Sequence, residues 1–187
     1  MEELLVAFTG IPRHPLPPKG PFVGSPFAHA ATAASAKSLL ATTVLQSVRR
    51  GPDLRLGGAD LDGVHYGNSV LHRCSVFCND PNSAIEYNLS RGYRAFEAVV
   101  GVLDDAEDPN QIGYFQVFLD NVAQPQEKAV LGAAVRIRYD VSGVLRMRSV
   151  ANRPDTVGSP PMAGRSAPWG KSSRLPALAW GNPMLFV

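Results

Sequence analysis

Ser83-Ala-Ile-Glu-Tyr-Asn-Leu-Ser-Arg-Gly-Tyr-Arg-Ala-Phe-Glu-Ala-Val-Val-Gly-Val-Leu-Asp-Asp105 alternates apolar and polar residues on either side of a Ser-Arg-Gly break, and that alternation sets the fold class. Ile85, Tyr87 and Leu89 share one face of the first half. Tyr93 or Phe96 with Ala98, Val100 and Val102 continue the period of two in the second. Successive strand side chains point to opposite faces, so a stretch that is apolar at every second position is a half-buried strand. Two such halves around a short glycine-containing break read as a β-hairpin. The same period returns in 112–119 and 135–150.

Working outward, the chain is all-β: an antiparallel sandwich with strands expected near 42–48, 70–77, 84–89, 94–102, 113–119, 135–139, 144–150 and 177–186, each alternating or rich in β-branched residues. Its expected core is Tyr87, Leu89, Phe96, Val100, Phe115, Val117 and Leu145. Composition agrees. With 17 Gly and 16 Pro among 187 residues, turns are frequent and long helices few, and 45% hydrophobic residues are enough for a self-sufficient core. No stretch reaches the roughly 18 unbroken apolar residues of a membrane span. Met1-Glu-Glu-Leu-Leu5 lacks the basic start of a signal peptide, so the expected location is the cytoplasm or an assembled particle.

The words outside the opening stretch carry a family resemblance. Leu-Arg-Leu-Gly-Gly at 54–58, His65-Tyr-Gly-Asn-Ser69, Ile85-Glu-Tyr-Asn-Leu89, Tyr93-Arg-Ala-Phe96 and Val100-Gly-Val-Leu-Asp-Asp105 come first. Phe115-Gln-Val-Phe-Leu-Asp120, Tyr139-Asp-Val-Ser-Gly-Val-Leu-Arg146 and Ala179-Trp-Gly-Asn182 follow. In this order, over about 50–187, the chain resembles the NPCBM family of carbohydrate-binding modules. That resemblance implies a jelly-roll type of sandwich and a non-catalytic glycan-binding role. Where the family commonly has an aspartate before the last Trp, this chain has Ala179.

Two regions are expected: an N-terminal extension or arm at 1–40 and the sandwich at 41–187. The extension holds six prolines by Pro26, with Phe8, Ile11, Phe22 and Phe27 scattered among them. Proline blocks helix and ladder hydrogen bonds, so the segment should run extended over its own sandwich or a neighbouring molecule, a route to a homo-oligomer. The alanine-rich 28–40 reads as a helix or a small-residue linker.

Catalysis finds little support. The chain has no Gly-x-Ser-x-Gly turn, and Gly57-Gly58 lacks the lysine of a phosphate loop. Cys74 and Cys78, the two cysteines, fall on one face of an extended strand with a residue between them on that face, a poor geometry for a bridge, and read as buried thiols; as a zinc pair they need further ligands and are a weak signal. Asp104, Asp105, Glu107 and Asp108 gather hard oxygen donors that suit a structural calcium, although without the Asp-x-Asp-x-Asp-Gly spacing, and a solvated loop is the plainer reading.

The 153–176 stretch, rich in Gly and Pro, is too long for a turn and is the expected ligand loop. Trp169 is its aromatic platform, with Arg165, Lys171 and Arg153 as polar neighbours. Trp180, in an apolar final strand, reads as core. A net charge of +2 and no interleaving of aromatic with basic residues argue against nucleic acid. The favoured function is a module holding a glycan at end loops. The alternative is a structural or assembly subunit, of a virion or tail for instance, with a protein partner bound through the arm.

Overall fold

The structure, a computed structural model, describes residues 36–38, 47–74, 78–156 and 174–187. These residues form two antiparallel sheets and no helix. Sheet A contains β1 (Ala36–Ser38), β3 (Leu54–Leu61), β4 (Val64–Arg73), β6 (Ala95–Val102), β10 (Val135–Asp140) and β12 (Ala177–Phe186). Its order is β10-β6-β12-β4-β3, with β1 also on β12. Sheet B contains β2 (Ser47–Arg50), β5 (Ala84–Asn88), β7 (Ile112–Leu119), β8 (Val122–Ala123), β9 (Glu127–Val130) and β11 (Arg146–Asn152). Its order is β2-β5-β11-β7-β8, with β9 also on β7. The chain passes repeatedly from one sheet to the other, as a jelly-roll type of sandwich requires.

Those crossings correct the reading of the opening stretch. β5 and β6 do not form a hairpin: β5 pairs with β2 and β11 in sheet B, while β6 pairs with β10 and β12 in sheet A. Both are real strands, and both bury their alternate residues. The physical reason lies in the break. Ser90 and Arg91 adopt left-handed backbone conformations, with φ of 50° and 59°, and the chain turns through them to the opposite layer. Ile85, Tyr87 and Leu89 then face Phe96, Ala98 and Val100 across the core instead of lying beside them.

Other expectations shift at their edges. β4 begins at Val64 and ends at Arg73, before the cysteines. β3, β8 and β9 were not expected, because β3 is glycine-rich and the other two are short. β1 lies inside the stretch read as helix or linker and pairs Ala36–Ser38 with the far end of β12. Leu145, expected in the core, is 41% exposed, because it lies in the turn before β11.

The core is the space between the sheets. Phe115 of sheet B meets Trp180 of sheet A edge to face, ring centroids 5.3 Å apart at 85°, and Phe96 stands 6.4 Å from the same indole. Tyr87, Val117, Met147, Val100 and Leu178 fill the space around them. Burial of this size follows the hydrophobic effect, at about 25 cal/mol per Å² of apolar surface removed from water. At Gly113 in β7 an added Cβ would lie 2.5 Å from a Leu178 methyl, so a side chain there would require Leu178 to shift.

Candidate functional site

Because β7 and β11 bury one set of alternate residues, they present the other set to the outer face of sheet B. Register arranges these into rungs. Arg148 pairs with Glu86 and Phe118, Val150 with Ala84 and Gln116, and Asn152 with Tyr114. With Asp80, Asn82 and Gln126 they line an open groove of about 560 Å³. One end of it is aromatic and charged. The Arg148 guanidinium lies over the Phe118 ring at 4.2 Å from the centroid, and its Nε is buried with no hydrogen-bond partner among the described residues. Glu86 accepts a 3.3 Å hydrogen bond from Arg146.

The other end is amide-rich. Asn152 Nδ2 donates to Asn82 Oδ1 at 3.2 Å, and Asp80 Oδ1 accepts from the Asn82 amide at 3.0 Å. Asn82 Nδ2 and Asn152 Oδ1 take no part in that bond. Tyr114 stands beside them, half-buried. Gln116 between the two ends donates to the Gln124 carbonyl. The signal for this surface lay in the sequence, in the outward phase of Tyr114, Gln116 and Phe118.

The acidic loop is divided among separate tasks. Asp104 accepts from the amides of Asp62 and Gly63 at 2.8 and 2.9 Å, capping the tight β3–β4 turn, where both residues have positive φ. Asp105 pairs with Arg73 at 2.7 Å. Asp108 pairs with Arg153. Among the described residues, no three carboxylates bring their oxygens together, and Glu107 joins no such group.

Arg153, expected on an open ligand loop, is 4% exposed. Its guanidinium reaches Asp108, Asp155 and the oxygens of Gln111 and Leu175. Gln111, itself buried, bonds both the amide and the carbonyl of Ala177, much as a neighbouring strand would. The network thus ties residues on both sides of 157–173 to the sandwich. Asp155 is held below the ordinary carboxylate range chiefly by the hydrogen bond from Arg153. Trp169, Arg165 and Lys171 lie outside the described residues, as do Phe8, Ile11, Phe22 and Phe27.

The cysteines are a correction. Cys74 and Cys78 form a disulfide, and their Cα atoms are 5.4 Å apart. Extended chain would separate them by about 13 Å, but β4 has ended at Arg73, so both cysteines lie beyond the strand. His72 lies beside them, fully buried, with Nε2 4.0 Å from Cys74 Sγ. Burial lowers its pKa to about 4, against the opposing pull of Asp53 and Asp80. Trp180 is core, as expected, at 2% exposure.

No curated protein matches the chain. Among solved structures, the CBM51 of Clostridium perfringens GH95 in complex with methyl-galactose is 18% identical, with a TM-score of 0.49 over 81% of this chain and 92% of that one. The CBM51-2 and INT domains of Clostridium perfringens ZmpB, in complex with GlcNAc, are 17% identical, with a TM-score of 0.48 over 81% of this chain. This chain spans 29% of that structure's length. The tandem CBM51 modules of Sp3GH98 from Streptococcus pneumoniae SP3-BS71 are 14% identical, with a TM-score of 0.47 over 76% of this chain and 40% of that one. Residues 78–159, from the second cysteine through β11 and past Asp155, match the NPCBM/NEW2 domain, the family to which the sequence words pointed.

Proposed function

We propose that the protein is a non-catalytic glycan-binding module and that the outer face of sheet B is a binding surface. One observation carries the reading: Tyr114 and the Arg148-covered Phe118 lie at opposite ends of one groove, on the same face of β7, with Asn82, Gln116, Glu86 and Asn152 between and beside them. Four residues along a strand is about 13 Å, enough for more than one sugar ring. A sugar offers apolar C–H faces and a rim of hydroxyls; aromatic rings take the first and amides and carboxylates the second. Groups of both charges and several amides suit a neutral glycan. The family match supports the same class of ligand. The segment with Trp169, Arg165 and Lys171 is proposed as a second contact for it.

A glycan array with the full chain, followed by calorimetry on the best neutral oligosaccharide, tests the reading. Tyr114→Ala should weaken binding about tenfold, near 1.4 kcal/mol, at an unchanged melting temperature. Retention of full affinity by both Tyr114→Ala and Phe118→Ala, with loss in Trp169→Ala, would move the site to the loop. No retention of any glycan would overturn the function itself.

A further inference from the structure

We propose that, once its disulfide is reduced, the cluster of His72, Cys74 and Cys78 is a zinc site. The geometry is close to what the ion demands. The ligand atoms of all three residues lie within 4.8 Å of one another, and all three residues are buried. A tetrahedral zinc with Zn–S near 2.3 Å and Zn–N near 2.05 Å sets its sulfur and nitrogen ligands about 3.6 Å apart. His72 Nε2 stands 4.0 Å from Cys74 Sγ, so a small side-chain adjustment brings them to that spacing. The two Cα atoms, 5.4 Å apart, already allow both sulfurs to reach one ion.

What holds this arrangement does not depend on the disulfide. Asp53 grips both flanks of the cysteine loop: its carbonyl accepts from the Arg73 amide at 3.4 Å, and its carboxylate accepts from the Asp80 amide at 2.8 Å and from Asn79 Nδ2 at 2.9 Å. His72 is fixed by β4, where it pairs with Leu54 on one side and Leu178 on the other. None of these contacts involves the disulfide, so they are available to hold Arg73, Asn79 and Asp80 when the bond opens. The carboxylates of Asp53 and Asp80 add a negative surrounding favourable to a dication.

The chemistry balances with a dithiol as reductant. One of its thiolates attacks a sulfur of the Cys74–Cys78 bond, and its second thiol resolves the mixed disulfide. Two electrons pass to the protein, leaving two cysteine thiols and the cyclic disulfide of the reductant. Zinc then takes both sulfurs as thiolates, with release of two protons, the lone pair of His72 Nε2, and a water as its fourth ligand. Metal and disulfide exclude each other, so the site is present in one redox state and absent in the other.

The test reduces the full chain with dithiothreitol under argon, removes the reductant, and titrates Co²⁺ and then Zn²⁺ beside the untreated oxidised chain. The reduced chain should take one Co²⁺, showing sulfur-to-cobalt charge transfer and tetrahedral bands that Zn²⁺ abolishes, with two protons released per ion. The oxidised chain should take none. His72→Gln should weaken Zn²⁺ binding at least about tenfold. Equal uptake by the oxidised chain, or by a Cys74→Ser/Cys78→Ser double variant, overturns the proposal, as does no uptake by the reduced chain. If reduction alone abolishes the near-ultraviolet circular dichroism of the fold, Zn²⁺ must restore it, and failure to do so overturns the proposal equally.

Discussion

The Arg148 guanidinium covers the Phe118 ring at 4.2 Å, and both belong to one rung of sheet B, where β11 and β7 are paired in register. A cation over an aromatic face keeps the ring flat and the guanidinium half-desolvated, a pairing worth about 0.5–2 kcal/mol. It also aims a charged donor into the groove. Arg148→Met should therefore reduce glycan affinity several-fold with little change in melting temperature, and Arg148→Lys should not fully rescue it, because an ammonium lacks the planar fork. Calorimetry on the three proteins checks this.

Trp180→Ala should destabilise the fold by about 3–5 kcal/mol, since it removes the indole that both Phe96 and Phe115 contact. Phe96→Ala should cost a similar amount, and Leu145→Ala less than about 1 kcal/mol because that side chain is exposed. Midpoints of chemical denaturation separate these outcomes. An unshifted midpoint for Trp180→Ala would mean the indole does not join the sheets.

Asp104→Ala should cost about 1 kcal/mol by freeing the amides of Asp62 and Gly63 at the β3–β4 turn. Calcium at the acidic loop would compete with Arg73 for Asp105 and with Arg153 for Asp108. Millimolar Ca²⁺ should accordingly leave the melting temperature unchanged; a rise that Asp105→Asn removes would establish the calcium site.

Acid should weaken the Arg153 network. Asp155 has a lower pKa folded than its ordinary 3.8, because Arg153 bonds its charged form. Its contribution to stability is thus complete above about 3.8 and is lost as pH falls through the lower folded value. Asp120 and Asp140 are lowered as well, by backbone amides of Arg146 and Leu145 and by Ser142 respectively, and add to the same acid limb. The stability difference between wild type and Asp155→Asn should be constant from pH 7 to about 4 and shrink below it. Denaturation at a series of pH values measures that difference.

Local sequence by itself determined that this is a β protein and where its central strands run. Alternation needs only the pleat of one strand, so Ile85, Tyr87, Phe115 and Val117 declared their buried phase without knowledge of any partner. Trp180 was legible as core for another reason, its place in the apolar run of β12. Partnership was different. Whether β5 lies beside β6 or across from it depends on two left-handed residues and on the apolar faces of strands far along the chain, and alternation is the same in either case. The disulfide hung on where β4 stops, because a bridge too long for one extended strand is open to two cysteines beyond its end whose Cα atoms stand 5.4 Å apart. Arg153 carried a charge that sequence assigns to the surface, yet Asp108, Gln111, Asp155 and Leu175 meet around it only through the fold. The groove is the same kind of object. Most of its residues sit on β5, β7 and β11, with Asp80, Asn82 and Gln126 from the connections, and the register of those three strands turns them into one surface.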